Sequence, residues 1–580
     1  MSEIAINAVA DLRTAINEAF QKAISNGDLA NADIPEFTVE IPADKKNGDF
    51  ATNAAMAGAK AFRSAPRKIA EALVKNIDLS NTYMKSCEIA GPGFINFFLA
   101  PNYYSDVLKE VITKGEKYGR SDFGKGEKVM VEFVSANPTG PMHMGNARGG
   151  ALGDCLSAVL DAAGYDVWRE FYVNDAGNQI EKFAMSLDYR FMQAVNGEDS
   201  VEFPEDCYQG EDIKEAVALF VSEHGTDLIN ADESERRKAL VDFALPRNIA
   251  KMQADMKKYR IDYDKWFMES ELHKSGAINE IIDILRSKDL TYEKDGAVWY
   301  KNKQVVTELL KSQGKTDEEI ERLELKDDVL IRANGNPTYF AADIAYHKNK
   351  FDRGFTTLID VWGADHHGHV ARMKGSMNAI GYNGDNLTVI LMQLVNLVKD
   401  GKPVRMSKRT GKAIQLGDLL DEVPVDSARF LFNTRESNST IDFDLDLAVV
   451  QDNQNPVYYV QYAHARICSI LKKLEDEGIT IRTCTDEELQ LLTAPEEIEL
   501  IDHLAAYTKE IISSAKSYDP TKITKYVTQL ATLFHKFYNA CRVKGEDEKL
   551  MQARLSLCVA VKIVIKAVLE MFKITVPTFM

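Results

Sequence analysis

Val129-Met-Val-Glu132-Phe-Val-Ser135-Ala-Asn137-Pro-Thr-Gly140-Pro-Met-His143-Met-Gly145-Asn146 decides how this 580-residue chain is read. Residues 129–134 are mostly apolar or β-branched, and the run stops at Asn137-Pro138 and Gly140-Pro141, so the spacing predicts a buried strand followed by a loop. Beyond the loop Ala147, Ala151, Cys155, Val159 and Ala163 recur at helical spacing beside Leu152, Leu156 and Leu160, and Gly164 ends the run. Residues 167–173 give a second strand. Strand, helix and strand make a βαβ unit whose polar loop lies at the first strand's carboxyl end, where open α/β sheets bind ligands.

The loop sets His143 and Asn146 at the amino end of that helix, where free backbone N–H groups and the helix dipole already favour phosphate. Neither the G-x-G-x-x-G nor the G-x-x-x-x-G-K-[ST] spacing occurs in this stretch, so a dinucleotide or Walker-type cradle does not account for it. His143-Met-Gly145-Asn146 resembles the His-x-Gly-His/Asn signature of class I aminoacyl-tRNA synthetases. Val404-Arg405-Met406-Ser407-Lys408-Arg409 resembles that class's second signature, Lys-Met-Ser-Lys-Ser/Arg, with Arg405 where the first lysine is usual. Glu132-Phe-x-Ser135-x-Asn137-Pro-Thr-Gly140 and Ile441-Asp-Phe-Asp-Leu-Asp446 narrow the resemblance to arginyl-tRNA synthetases, across essentially the whole chain.

A chain this long exceeds one core, and three domains are expected. The resemblance implies an α/β fold: a Rossmann-like parallel-sheet catalytic domain over 116–440, an α+β tRNA-contacting domain over 1–115 and an all-α anticodon-binding domain over 441–580. A long polar segment, roughly 185–325, reads as an insertion in the catalytic domain. Tyr208-Gln-Gly210 within it either lies at the mouth of the site or packs the insertion. The amino-terminal region opens on an amphipathic helix with Ile4, Val9, Leu12, Ile16 and Phe20 in register and closes on a strand ending at Leu99. Asn334-Gly335 between short apolar runs at 329–332 and 337–340 signals a type I′ hairpin, and Tyr339 and Asp343 share a helix face if a helix begins at 339.

Net charge is −18, which argues against nonspecific adhesion to nucleic acid or anionic membrane and requires any RNA partner to meet local basic patches. Seven cysteines without C-x-x-C pairs lead to an expectation of free thiols and no structural zinc. With no stretch of about 18 apolar residues and no signal-like amino terminus, a cytoplasmic protein without a membrane partner is expected.

Candidate site residues follow from resemblance. His143, Asn146 and Lys408 are expected to be catalytic. ATP, taken with Mg²⁺, is expected to meet His143, Gly145, Asn146, Gly363, Asp365, His369, Met406, Ser407 and Lys408. Asp365, His366, His367 and His369 after a strand at 358–362 also have spacing acceptable for a metal, but the resemblance assigns that segment to adenosine and the amino acid, and no metal site is expected. L-Arginine is expected to meet Glu132, Ser135, Asn137, Tyr339, Asp343 and His366, because a planar cationic fork demands acids and acceptors. Either acid can take the guanidinium or the α-ammonium. For tRNA(Arg) the candidates are Asn96 and Phe98 in the first domain, and Tyr459, Tyr462 and Arg466 on one helical stripe of the last. A packing role is the alternative for both sets. The family default is a monomer. A nucleotidyl transferase acting on a small molecule would share the first signature without needing the carboxyl-terminal helices, and a silent RNA-binding paralogue would lose the signature.

Overall fold

The computed structural model describes residues 3–404, 414–545 and 547–580. Its central sheet has five strands, β1 (Lys128–Glu132), β2 (Asp166–Val173), β3 (Lys265–Met268), β4 (Thr357–Gly363) and β5 (Leu387–Met392). They lie in the order β5-β4-β1-β2-β3, and every neighbouring pair is parallel. Connections leave β1 towards both edges, so a crevice opens at the carboxyl ends of β1 and β4, the switch point of a doubly wound sheet. Helix α1 (Gly145–Ala162) crosses from β1 to β2 and is buried almost all round. Its small residues make that possible: a Cβ at Gly153 would stand 2.1 Å from the Phe133 ring, closer than any side chain permits.

Helix α2 (Tyr339–Asp352) begins at Tyr339, capped by Thr338, whose hydroxyl accepts from the Ala341 N–H at 3.5 Å. Tyr339 and Asp343 therefore do share a face. The turn before it is not type I′. Arg332 accepts from the Gly335 N–H and donates to the Asn336 carbonyl, and of the loop residues only Gly335 has positive φ, +83°. That is a type I turn closed by a left-handed glycine, and it leaves residues 337–340 with one bridge, Ile331 to Pro337, before the helix starts. The stretch 185–325 is likewise not a single excursion. Helices Gly177–Asn196, Glu211–His224 and Glu233–Lys258 pack on their own apolar core of Phe183, Phe191, Phe220 and Leu240, but Lys265–Met268 returns as edge strand β3.

Ahead of this sheet, strands Val39–Glu40, Phe50–Thr52, Phe94–Leu99 and Met84–Ala90 form an antiparallel sheet in that order, backed by helices Glu3–Ser25 and Pro66–Asn76. After it come the long helices α3 (Pro456–Asp476), Pro495–Ser517, α4 (Thr521–Ala540) and α5 (Glu548–Met571). Fixed polar struts join the three parts. The Tyr118 hydroxyl donates to the Leu504 carbonyl at 2.8 Å, and Lys45 pairs with Asp502 at 2.9 Å. Fully buried Arg429 pairs with Asp154 of α1 while donating to the Tyr259 and Phe572 carbonyls at 3.0 and 2.6 Å. A buried ion pair of this kind fixes orientation more than it adds stability, since desolvation offsets most of the attraction. No helix among the described residues is long and apolar enough to cross a membrane.

Candidate functional site

The loop after β1 is organised by its own hydrogen bonds. The His143 N–H donates to Asn146 Oδ1 at 3.0 Å, and the Gly145 N–H donates to His143 Nδ1 at 3.1 Å. With Nδ1 engaged as an acceptor, a neutral His143 carries its proton on Nε2 as a donor for the cavity it lines. Burial holds its pKa below the ordinary histidine value, so the ring is neutral at pH 7. A Cβ at Gly145 would meet Cε1 and Nδ1 of that ring at 2.8 and 2.9 Å, so only glycine lets the ring lie against the helix start. Leu416 donates to the Met142 carbonyl and Met144 to that of Ile414, both at 2.8 Å. These bonds dock the chain directly after residues 405–413 onto the His143 loop. Met406, Ser407 and Lys408 lie outside the described residues.

Two adjoining chambers open at the switch point, about 920 and 720 Å³ in volume, with Ser135, Asn137, Gly363, Asp365 and His366 in the wall they share. His143, Gly145 and Asn146 line the larger chamber together with Met392 at the end of β5, residues 393–395 beyond it, and Tyr208 and Gly210. Glu132, Tyr172, Tyr339, Asp343 and His369 line the smaller. Of the expected nucleotide residues His143, Gly145 and Asn146 belong to the larger chamber alone, and of the expected arginine residues Glu132, Tyr339 and Asp343 belong to the smaller alone, the shared wall holding the others described apart from His369. His369 departs from this: it lies in the smaller chamber, its Nε2 3.0 Å from Asp343 Oδ2. Val134 and Ser135 take the chain out of β1 at φ +72° and +42°. A β-branched residue pays about 1–3 kcal/mol there, and the turn aims the Ser135 hydroxyl back at Glu132 Oε1, 2.8 Å away.

Glu132 is not a free acid. Lys350 of α2, fully buried, donates to Glu132 Oε2 at 2.5 Å and to Asp360 Oδ1 at 2.8 Å. His347 reaches Asp360 through Nε2 at 2.7 Å and the Asp343 carbonyl through Nδ1 at 2.8 Å; both partners are acceptors, an arrangement an imidazolium satisfies. Burial lowers Lys350, but Asp360 and Glu132 outweigh it and hold the lysine above its ordinary value. Burial likewise opposes ionisation of Asp360, yet Lys350 and His347 bring it down to about 2. Burial raises the Glu132 pKa although Lys350 opposes it. Glu132, expected to meet arginine, is held by Lys350 on one oxygen and by Ser135 on the other.

The acid that sequence reasoning missed is Glu269, the first residue after β3 and almost fully buried. It accepts from the Tyr172 hydroxyl at 2.9 Å and, with the Asn174 amide correctly oriented, from that amide at 3.1 Å; His273 lies 3.4 Å away. Among the described residues no lysine or arginine pairs with it. Burial raises its pKa, and nearby Asp343 raises it further. Glu269 lines an adjoining cavity with His273, Arg332 and Tyr339 and lies behind Tyr172 and Tyr339 of the smaller chamber, which Asp343 lines directly; among the described residues neither acid is in an ion pair with a lysine or arginine. The signal was a short apolar run, Trp-Phe-Met, ending in an acid, but it sat inside a stretch read as an insertion.

Three family models match in succession: the arginyl tRNA synthetase N terminal domain over residues 10–99, the class I (R) tRNA synthetase catalytic domain over 107–467 and the DALR anticodon binding domain over 460–580. The chain belongs to the arginyl-tRNA synthetase family. It is 53% identical to the arginine–tRNA ligase of Ruminiclostridium cellulolyticum over 98% of each chain, and 52% identical to that of Acetivibrio thermocellus over 98% of this chain and 99% of the relative. The Thermus thermophilus arginyl-tRNA synthetase shares the fold with a TM-score of 0.70 at 21% identity, covering 98% of this chain and all of that one. Within this synthetase the expected tRNA residues sit as follows. Tyr459, Tyr462 and Arg466 form a half-buried stripe on α3 and meet His535 and Tyr538 of α4, with His535 ring centroids 5.1 and 5.9 Å from the two tyrosines. Burial, aided by Arg466, takes His535 down to about 4. Asn96 and Phe98 share one face of the amino-terminal sheet, Asn96 buried and Phe98 partly exposed. Neither set contacts the chambers.

Proposed function

We propose that this synthetase activates L-arginine with ATP and transfers the arginyl group to tRNA(Arg). The observation that carries the amino-acid assignment is a set of two acids, Asp343 in the smaller chamber and Glu269 behind its Tyr172 and Tyr339, with no lysine or arginine paired to either among the described residues, beside a chamber that carries the phosphate signature. A guanidinium brings five donors in a planar fork and a charge that buried Glu269 and part-exposed Asp343 complement, whereas a single ammonium leaves part of the set unpaired. Glu132, held by Lys350 and Ser135, then serves with Asn137 at the α-ammonium end.

In this reading the arginine carboxylate attacks the α-phosphorus in line and pyrophosphate leaves; the terminal ribose hydroxyl of tRNA next takes the arginyl group from AMP. No covalent nucleophile on the protein is needed. Charge that builds on the phosphate oxygens is met by His143 Nε2–H, by Asn146 and by the amino end of α1, and Lys408 is assigned the same task from its signature. ATP enters as its magnesium complex. Among the described residues no cluster of three metal-ligating side chains stands ready to hold an ion. Aminoacylation with arginine, lysine and citrulline, which keeps the shape of arginine without its charge, tests the assignment: arginine alone should be charged efficiently, and efficient charging of citrulline would refute it.

A further inference from the structure

Arg148 stands two residues beyond Asn146 on α1, near the helix's amino end, and is 1% exposed. Among the described residues no carboxylate pairs with its guanidinium, and burial alone acts on its pKa, lowering it. Its partners are carbonyls: Nη1 donates to that of Gln393 at 2.8 Å, and Nη2 to those of Glu436 and Ser439 at 2.9 and 2.8 Å. The placement runs against two rules at once. A buried cation ordinarily has an acid beside it, as Arg429 has Asp154, and a cation is disfavoured near the positive end of a helix dipole. The fork nevertheless suits three converging carbonyls, because its donors point in fixed, coplanar directions. Without it the negative ends of three carbonyl dipoles would face one another in a space closed to water.

The three carbonyls belong to one substructure. Gln393 follows β5, and the chain runs on through strand Val395–Lys399, which pairs antiparallel with Lys402–Pro403 and parallel with Ile441–Asp444. The Gln393 N–H donates to the Ser437 carbonyl at 2.9 Å and the Ile441 N–H to that of Leu394 at 3.3 Å, so these two segments are tied to each other as well as to Arg148. Residues 392–395 line the larger chamber, and Val404, whose N–H donates to the Leu397 carbonyl at 2.8 Å, opens the second signature. Arg148 thus bonds the helix of the first signature to the hairpin that leads into the second. A carboxylate partner would place negative charge beside a chamber that admits a triphosphate on the reading above, whereas carbonyls hold the guanidinium and leave its positive charge uncancelled.

We propose that Arg148 is a positioning residue for arginine activation: it keeps the hairpin that leads into the second signature in register with His143 and Asn146, so that donors from both close on the same phosphates. This rests on the reading that the enzyme makes arginyl-adenylate from ATP, and the test separates the two. Arg148→Lys keeps the charge and loses the fork, and Arg148→Met loses both. In the full-length enzyme with tRNA(Arg), pyrophosphate exchange with arginine is measured alongside transfer to tRNA from supplied arginyl-adenylate and the melting temperature. Misplaced donors should lower the exchange kcat about tenfold in Arg148→Lys and about a hundredfold in Arg148→Met. KM for arginine and for tRNA, and the transfer rate, which involves no pyrophosphate, should stay within about twofold of wild type. Loss of a strut that serves the fold alone would lower activation and transfer together. Exchange near wild type in Arg148→Lys overturns the inference, and so does a joint fall of both steps or the loss of folded protein in both variants. If the wild-type enzyme shows no exchange with arginine, the functional reading falls instead.

Discussion

Glu269→Gln keeps the shape of the side chain and its bonds to Tyr172 and Asn174 while removing its charge. Glu269 is 3% exposed and among the described residues no lysine or arginine pairs with it, so arginine bound in the smaller chamber would lose the more deeply buried of its two acids. Stranding one charge of a buried pair costs roughly 3–5 kcal/mol; Asp343 remains, which puts the expected loss at the lower end, a factor of about 100 in kcat/KM for arginine. Steady-state aminoacylation at saturating ATP and tRNA reads this directly, with KM for tRNA and the melting temperature as controls. The pH dependence gives a second handle. Burial raises the Glu269 pKa in the empty site, and a bound guanidinium favours the ionised form, so arginine affinity should rise as pH increases from about 5 towards the raised pKa and then level. In Glu269→Gln that rise should shrink. A kcat/KM within about threefold of wild type, with the pH profile intact, would refute the assignment of Glu269.

Gly145→Ala places a Cβ 2.8–2.9 Å from the His143 ring, and displacing that ring should lower kcat about a hundredfold with little change in melting temperature. Arg429→Met should cost roughly 3–5 kcal/mol in urea unfolding because Asp154 stays buried without its main partner, and adding Asp154→Asn should recover part of the loss. Burial lifts Asp502 to about 6 although Lys45 opposes it. The folded protein therefore keeps a proton there that the unfolded chain releases near pH 4, and stability should fall as pH rises from about 4 to 6 and then level. Asp502→Asn should flatten that window of the stability–pH curve.

The βαβ core was readable because its signals are local: apolar runs of the right length, a Pro/Gly break, helical spacing and a terminal glycine. Tyr339 and Asp343 were readable for the same reason, four residues apart behind a threonine cap. What local signals could not show were features decided by distant partners. The role of Glu132 depends on Lys350, brought to it by a helix whose sequence neighbours gave no hint of a buried cation. Glu269 needed β3 to be recognised as sheet, and four residues between long polar helices are too few to show alternation. The turn at Asn334-Gly335 misled because the dipeptide suits two turn types, and the chain used the one that places Gly335 after the turn rather than within it. His369 was assigned by its motif to the nucleotide, whereas its contact with Asp343 is set by the packing of two helices.

Isotope exchange of pyrophosphate into ATP, run with each of the twenty amino acids in turn in the presence of tRNA(Arg), tests the central claim most directly. Exchange with arginine and background with the other nineteen is the predicted result. Exchange driven by a different amino acid, or none with arginine, would contradict it.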